Sequence, residues 1–142
     1  MELRTNDLDQ SPFRQFETWY QAATNAELHE PNAMSLATVS ATGAPSLRTV
    51  LLKVWDETGF VFFTNHGSRK AQEIAANPNV ALLFYWAPLH RQIRIEGTAQ
   101  KVSTVESMKY FVTRPRGSQL GAWCSEQSST ISSRAVLLAK LT

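Results

Sequence analysis

Apolar positions recur at helical spacing in the first part of the chain. Phe13, Phe16, Trp19 or Tyr20, and Ala23 share one face, which predicts a helix from Pro12 to about Leu28. Ser11 suits its N-cap and Pro12 its first turn, while Glu30-Pro31-Asn32 ends it. The texture then shortens to strand-like runs. Strands are predicted at Met34–Val39, Leu47–Trp55, Phe60–Thr64, Val80–Trp86 and Gln92–Val102, with turns at Ala41–Pro45 and Asp56–Gly59. Gly97 suggests a bulge or a bend. Ser68–Asn77 reads as a short helix stopped by Asn77-Pro78. Ser103-Thr-Val-Glu106 has the form of a capping box, opening a helix to about Thr113 that Pro115 ends. Ser132 or Ser133 caps a last helical stretch, Arg134–Leu141. The sum is a mainly β fold of five mostly antiparallel strands with peripheral helices, a small barrel rather than a doubly wound sheet.

Length and composition narrow the function classes. With 142 residues, 43% apolar and 18% charged, the chain reads as a single domain, 1–142, with residues 1–10 expected to be flexible. A formal charge of only +2 disfavours nucleic-acid binding. One cysteine, Cys124, excludes an internal disulfide and a cysteine-rich zinc site. The first ten residues lack the apolar core of a signal peptide, and no run reaches the roughly 20 apolar residues of a membrane span. A cytoplasmic protein away from membranes is the expectation. His29, His66 and His90 stand far apart, so no metal site is expected. Neither a Gly-rich phosphate loop nor a nucleophile elbow occurs, so any catalysis belongs to a bound cofactor.

Four constellations remain. In Arg48-Thr-Val-Leu-Leu-Lys53, alternation puts Arg48 with Val50, Leu52 and Val54 on one face, and Lys53 with Thr49 and Leu51 on the other. These cations either snorkel at strand ends or bind an anion. Thr64-Asn-His-Gly-Ser-Arg-Lys70 is a strand end, a turn and a helix start with two cations, Arg69 and Lys70. Cations there oppose the helix dipole, and an arriving phosphate would relieve that opposition. Tyr110 and Arg114 share a helix face and Gly117 frees the chain to bring Ser118 round, either as a second phosphate cradle or as an ordinary polar surface. Gln92, with Gln127-Ser128 in a polar loop, offers amides suited to the edge of a planar heterocycle.

Taken in order, several segments resemble the pyridoxamine 5′-phosphate oxidase family. They are Arg48–Lys53, Phe62-Phe-Thr-Asn65, Gly67-Ser-Arg-Lys70, Asn77-Pro78, Arg91-Gln92, Glu96-Gly97, Met108–Phe111, Arg114-Pro-Arg116, Ser118–Trp123 and Ser125–Ser129. The resemblance implies an antiparallel split β-barrel that forms a homodimer with FMN in the clefts between subunits. It implies oxidation of pyridoxamine or pyridoxine 5′-phosphate to pyridoxal 5′-phosphate, with O2 giving H2O2. For FMN it implies Arg48, Thr49, Val50, Leu51, Leu52, Lys53, Phe63, Thr64, Arg69, Lys70, Gln92, Gln127 and Ser128. For the substrate phosphate it implies Lys53, Tyr110, Arg114 and Ser118.

Members of the family continue through further strands beyond the position of Thr142, so this chain reads as lacking their C-terminal part. The alternative function is a non-catalytic split barrel that binds FMN or pyridoxal phosphate.

Overall fold

The computed structural model describes residues 2–65 and 67–102, and the backbone of 136–141. Two helices and six strands follow in chain order: α1 (Pro12–Asn25), β1 (Ala33–Val39), β2 (Pro45–Asp56), β3 (Gly59–Asn65), α2 (Arg69–Ala76), β4 (Asn79–Trp86), β5 (Arg91–Lys101) and β6 (Val136–Leu141). Every strand pairing is antiparallel, and the order β1-β2-β3-β6-β5-β4 closes a barrel. Two strands are shared between its halves. The first part of β2 pairs with β1 and its end with β3; β5 pairs first with β4 and ends against β6.

Alternation sorts the barrel's side chains. Met34 and Leu36, Val50 and Leu52, Val80, Leu82, Phe84 and Trp86 point inward and form one core with Phe60 and Phe62. α1 closes one end of this core. Its Phe16 ring meets Trp55, Phe60 and Phe84 at centroid distances of 5.5, 5.0 and 5.1 Å, and Trp86 donates from Nε1 to the Pro31 carbonyl at 3.0 Å. α2 packs on β1 and β3 at the opposite end. Ser11 caps α1 by accepting from the Arg14 N–H at 3.4 Å, as its side chain suggested.

Four expectations need correction. The helical stretch predicted at Arg134–Leu141 contains a strand, β6, at Val136–Leu141, paired with β3 and β5. Leu, Ala and Lys are good helix formers, but intrinsic propensity is a weak preference, and pairing on both edges overrides it. α1 stops at Asn25 instead of Leu28, because Glu27 turns left-handed (φ 54°) and its N–H bonds back to Thr24 O at 3.0 Å. The bulge suggested at Gly97 is absent: the β4–β5 ladder passes through it without a shift. The irregularity lies in β2 instead: the register with β3 slips between Leu52 and Val54. That bulge inverts the alternation. Trp55 joins the inner core, while Val54 leaves the face of Arg48, Val50 and Leu52 and packs with Val61, Phe63 and Val102. The predicted helix Ser103–Thr113 lies outside the described residues.

Candidate functional site

The core is apolar except at the α2 end. Among the described residues, the buried polar and charged ones are Thr38, Thr64, Ser68, Lys70 and Glu73, on β1, β3, the turn before α2, and α2 itself. Buried polar groups need partners, and the partners here define a network. Glu73 is its centre. Its carboxylate accepts from the Thr38 hydroxyl, from Ser46 Oγ at 3.1 Å and from Arg69 Nε at 2.9 Å, and it pairs with Arg48 Nη2 at 3.5 Å. Arg48 also donates to Thr38 Oγ1 at 2.6 Å and to the Leu36 carbonyl at 3.2 Å.

α2 starts where its sequence suggested. Ser68, fully buried, accepts from the Ala71 N–H at 3.2 Å and lies 3.0 Å from Thr64 Oγ1. Arg69 and Lys70 then occupy the first turn, and their fates differ. Arg69 reaches forward one turn to Glu73 with its side chain 67% exposed, whereas Lys70 is buried.

The electrostatics follow from these contacts. Above all the Thr38 hydroxyl, then Arg69 and Ser46, hold the Glu73 carboxyl at about 2, outweighing the opposing effect of burial. Burial, and secondly the charge of Arg48, push the Lys70 ammonium below its ordinary range. Three cations, Arg48, Arg69 and Lys70, gather at this end of the barrel; Arg48 and Arg69 pair with Glu73, and the charge of Arg48 acts on Lys70. Such a set of cations suits an anion such as a phosphomonoester.

The remaining site residues divide by face. Val50 and Leu52 are in the core, so only their backbone is available to a ligand. Thr49, Leu51 and Lys53 alternate with them and point outward, and Lys53 lies 5.8 Å from the Phe63 ring centroid. Gln92 is exposed on β5, opposite Tyr85 of β4, on the other side of β1 from β2. The structure thus joins Arg48 to Arg69 through Glu73, sets Lys70 and Thr64 beside them, and puts Lys53 with Phe63. Gln92 is apart from both groups. Tyr110, Arg114, Ser118, Gln127 and Ser128 lie outside the described residues.

Sequence reasoning missed Thr38, Ser46 and Glu73. Two signals pointed to Glu73 and Thr38: Arg69 and Glu73 stand i, i+4 on a helix, and Thr38 continues the inward phase of Met34 and Leu36. An open groove of about 550 Å3 lies elsewhere, over β1, β4 and β5, floored by Ala37, Ala81 and Gly97. No group of metal-ligating side chains and no membrane-crossing helix occurs among the described residues.

Comparison with known proteins adds to this geometry. The sequence model of a family described as pyridoxamine 5′-phosphate oxidase matches residues 20–142. A pyridoxine/pyridoxamine 5′-phosphate oxidase of Crocosphaera subtropica is 70% identical over 135 residues, covering 95% of this chain and 63% of that protein. One from Aliarcobacter butzleri is 61% identical, covering 95% and 64%. The chain therefore spans a little under two thirds of the length of these relatives. Among solved structures, PhzG of Burkholderia lata, crystallised with tetrahydrophenazine-1-carboxylic acid, superposes with a TM-score of 0.85 at 25% identity, covering 99% of this chain and 81% of that one. An FMN-binding, pyridoxamine 5′-phosphate oxidase-related protein of Nostoc punctiforme has the same fold, with a TM-score of 0.75 at 18% identity, covering 95% and 82%. Sequence match, barrel topology and relatives agree, and the chain belongs to the pyridoxamine 5′-phosphate oxidase family.

Proposed function

We propose that this chain binds FMN and serves the oxidation of pyridoxamine or pyridoxine 5′-phosphate to pyridoxal 5′-phosphate, in the cytoplasm and as a homodimer. The observation that carries the reading is the gathering of Arg48, Arg69 and Lys70 at the α2 end of the barrel, in a chain of this family. Pyridoxine 5′-phosphate would give up two electrons and two protons to O2, yielding the aldehyde and H2O2; the amine would also consume water and release ammonia. Bound FMN supplies the two-electron chemistry that connects substrate carbon and O2.

The chain's own residues bind and orient. Arg69 and Lys70 hold the FMN phosphate, with Arg48 and Thr64 behind them. Thr49, Leu51 and Lys53 line the outward face of β2, with Phe63 beside Lys53. Lys53, Tyr110, Arg114 and Ser118 hold the substrate phosphate. Gln92 sits on the far side of β1 from β2, which suits a contact made to the partner's FMN, together with Gln127 and Ser128. Small outward residues across β1 and β4, Ser35, Ala37 and Ala81, permit close approach of a second copy.

The test is a titration of the chain with FMN, followed by flavin fluorescence, then oxygen uptake on adding pyridoxine 5′-phosphate. Saturable binding with turnover supports the whole reading. Binding without turnover reduces it to the flavin-binding alternative, and a folded chain that ignores FMN overturns it.

A further inference from the structure

Glu73 is a carboxylate in the midst of a site that the preceding reading assigns to an anion, and it touches both arginines of that site. Its four contacts come from three separate elements: Thr38 on β1, Ser46 and Arg48 on β2, and Arg69 on α2. A carboxylate placed only to stabilise α2 would need no more than its i, i+4 partner. This one is buried and tied across the barrel's end.

The contacts constrain the arginines differently. Arg48 is pinned by Leu36 O, Thr38 Oγ1 and Glu73, so its guanidinium has one orientation. Arg69 is held through Nε at 2.9 Å, which turns the rest of its guanidinium outward on an otherwise exposed side chain. A free arginine loses rotamer freedom when it grips an anion; one already held loses less.

We propose that Glu73 is a positioning residue for the cofactor phosphate: it fixes Arg48 and Arg69 in the orientation that receives it. The inference rests on the assignment of this end of the barrel to the FMN phosphate. Two effects of removing the carboxylate oppose each other. Losing a negative charge favours any anion, while releasing the arginines disfavours one held in a defined geometry. The second is expected to dominate, and the sign of the change in FMN affinity decides between them.

The test measures dissociation constants for FMN and riboflavin with the wild-type chain, Glu73→Gln, Arg69→Ala and the double variant. Riboflavin carries the same ring without the phosphate. Glu73→Gln is expected to weaken FMN about tenfold, the scale of one charge-assisted hydrogen bond, and to leave riboflavin unchanged. In the Arg69→Ala background the loss should shrink, since one of the two held arginines is gone. Ser46→Ala, which keeps every charge and removes one bond to the carboxylate, should weaken FMN in the same direction and by less. Equal weakening of FMN and riboflavin, or tighter FMN binding by Glu73→Gln, would overturn the proposal and leave the FMN assignment standing. A wild-type chain that binds neither flavin overturns both.

Discussion

Phe16 offers the most direct test of how the barrel is closed. It is 3% exposed and its ring lies within 6.1 Å of five others: Tyr20, Trp55, Phe60, Phe84 and Trp86. Phe16→Ala removes the ring from a core assembled from five strands and α1, and these elements cannot all collapse into the gap. Large-to-small changes of this kind cost about 3–5 kcal/mol, and edge-on contacts with Trp55, Phe60 and Phe84 place Phe16 in the upper half of that range. The expected loss is about 4 kcal/mol, against a total stability of about 5–15 kcal/mol for a domain. In a chain of this size that lowers the Tm by about 12 °C or more.

Urea unfolding followed by tryptophan fluorescence measures it, because Trp55 and Trp86 sit beside the substituted ring. The midpoint should fall at unchanged m. α1 and the Glu73 network occupy opposite ends of the barrel, so FMN affinity of the folded variant should stay within about twofold of wild type, as expected for separated sites. A loss under about 1 kcal/mol would refute the packing described for α1. A large fall in FMN affinity would refute the independence of the two ends.

Other predictions test the α2 end. The Glu73 carboxyl sits at about 2 in the folded chain against an ordinary 4.5, so its contribution is complete above about 4.5 and is lost as the pH falls towards 2. Glu73→Gln should therefore flatten the fall of the urea midpoint between pH 5 and pH 3; equal slopes in both proteins would contradict the network. Ser68→Ala deletes the α2 cap and a buried partner of Thr64, which should cost about 2 kcal/mol by denaturant titration. Arg114→Ala should raise the KM for pyridoxine 5′-phosphate more than it alters the Kd for FMN; an effect confined to FMN would move Arg114 to the cofactor.

Much of the barrel was legible because its signals are local. Five strands and both described helices follow from apolar runs, caps and turn residues, with the Ser11 and Ser68 caps at their expected positions. The sixth strand was not. Val136–Leu141 contains Leu, Ala and Lys in no clear period, and its conformation is decided by β3 and β5, which lie far away in sequence. The same holds for the end of α1, where a left-handed Glu27 does what Gly or Asn more often does.

The site shows why reading residues by type finds ligand-binding cations more readily than what holds them. Arg48, Arg69 and Lys70 stood out because charge is unexpected in an apolar strand and in the first turn of a helix. Both oddities have a single structural resolution, the carboxylate of Glu73, which touches Arg48 and Arg69 at once. From sequence, Glu73 is one of 12 acidic residues, on a short helix with nothing to mark it as buried. Its importance comes from β1 and β2 arriving in register, Leu36 opposite Arg48 and Thr38 opposite Ser46, so that three polar side chains meet α2 together. The bulge at the other end of β2 works in the same way. It sends Trp55 into the core and Val54 out, leaving Lys53 beside Phe63 on the outer face. One strand therefore presents its first cation to the barrel's end and its second to the outside.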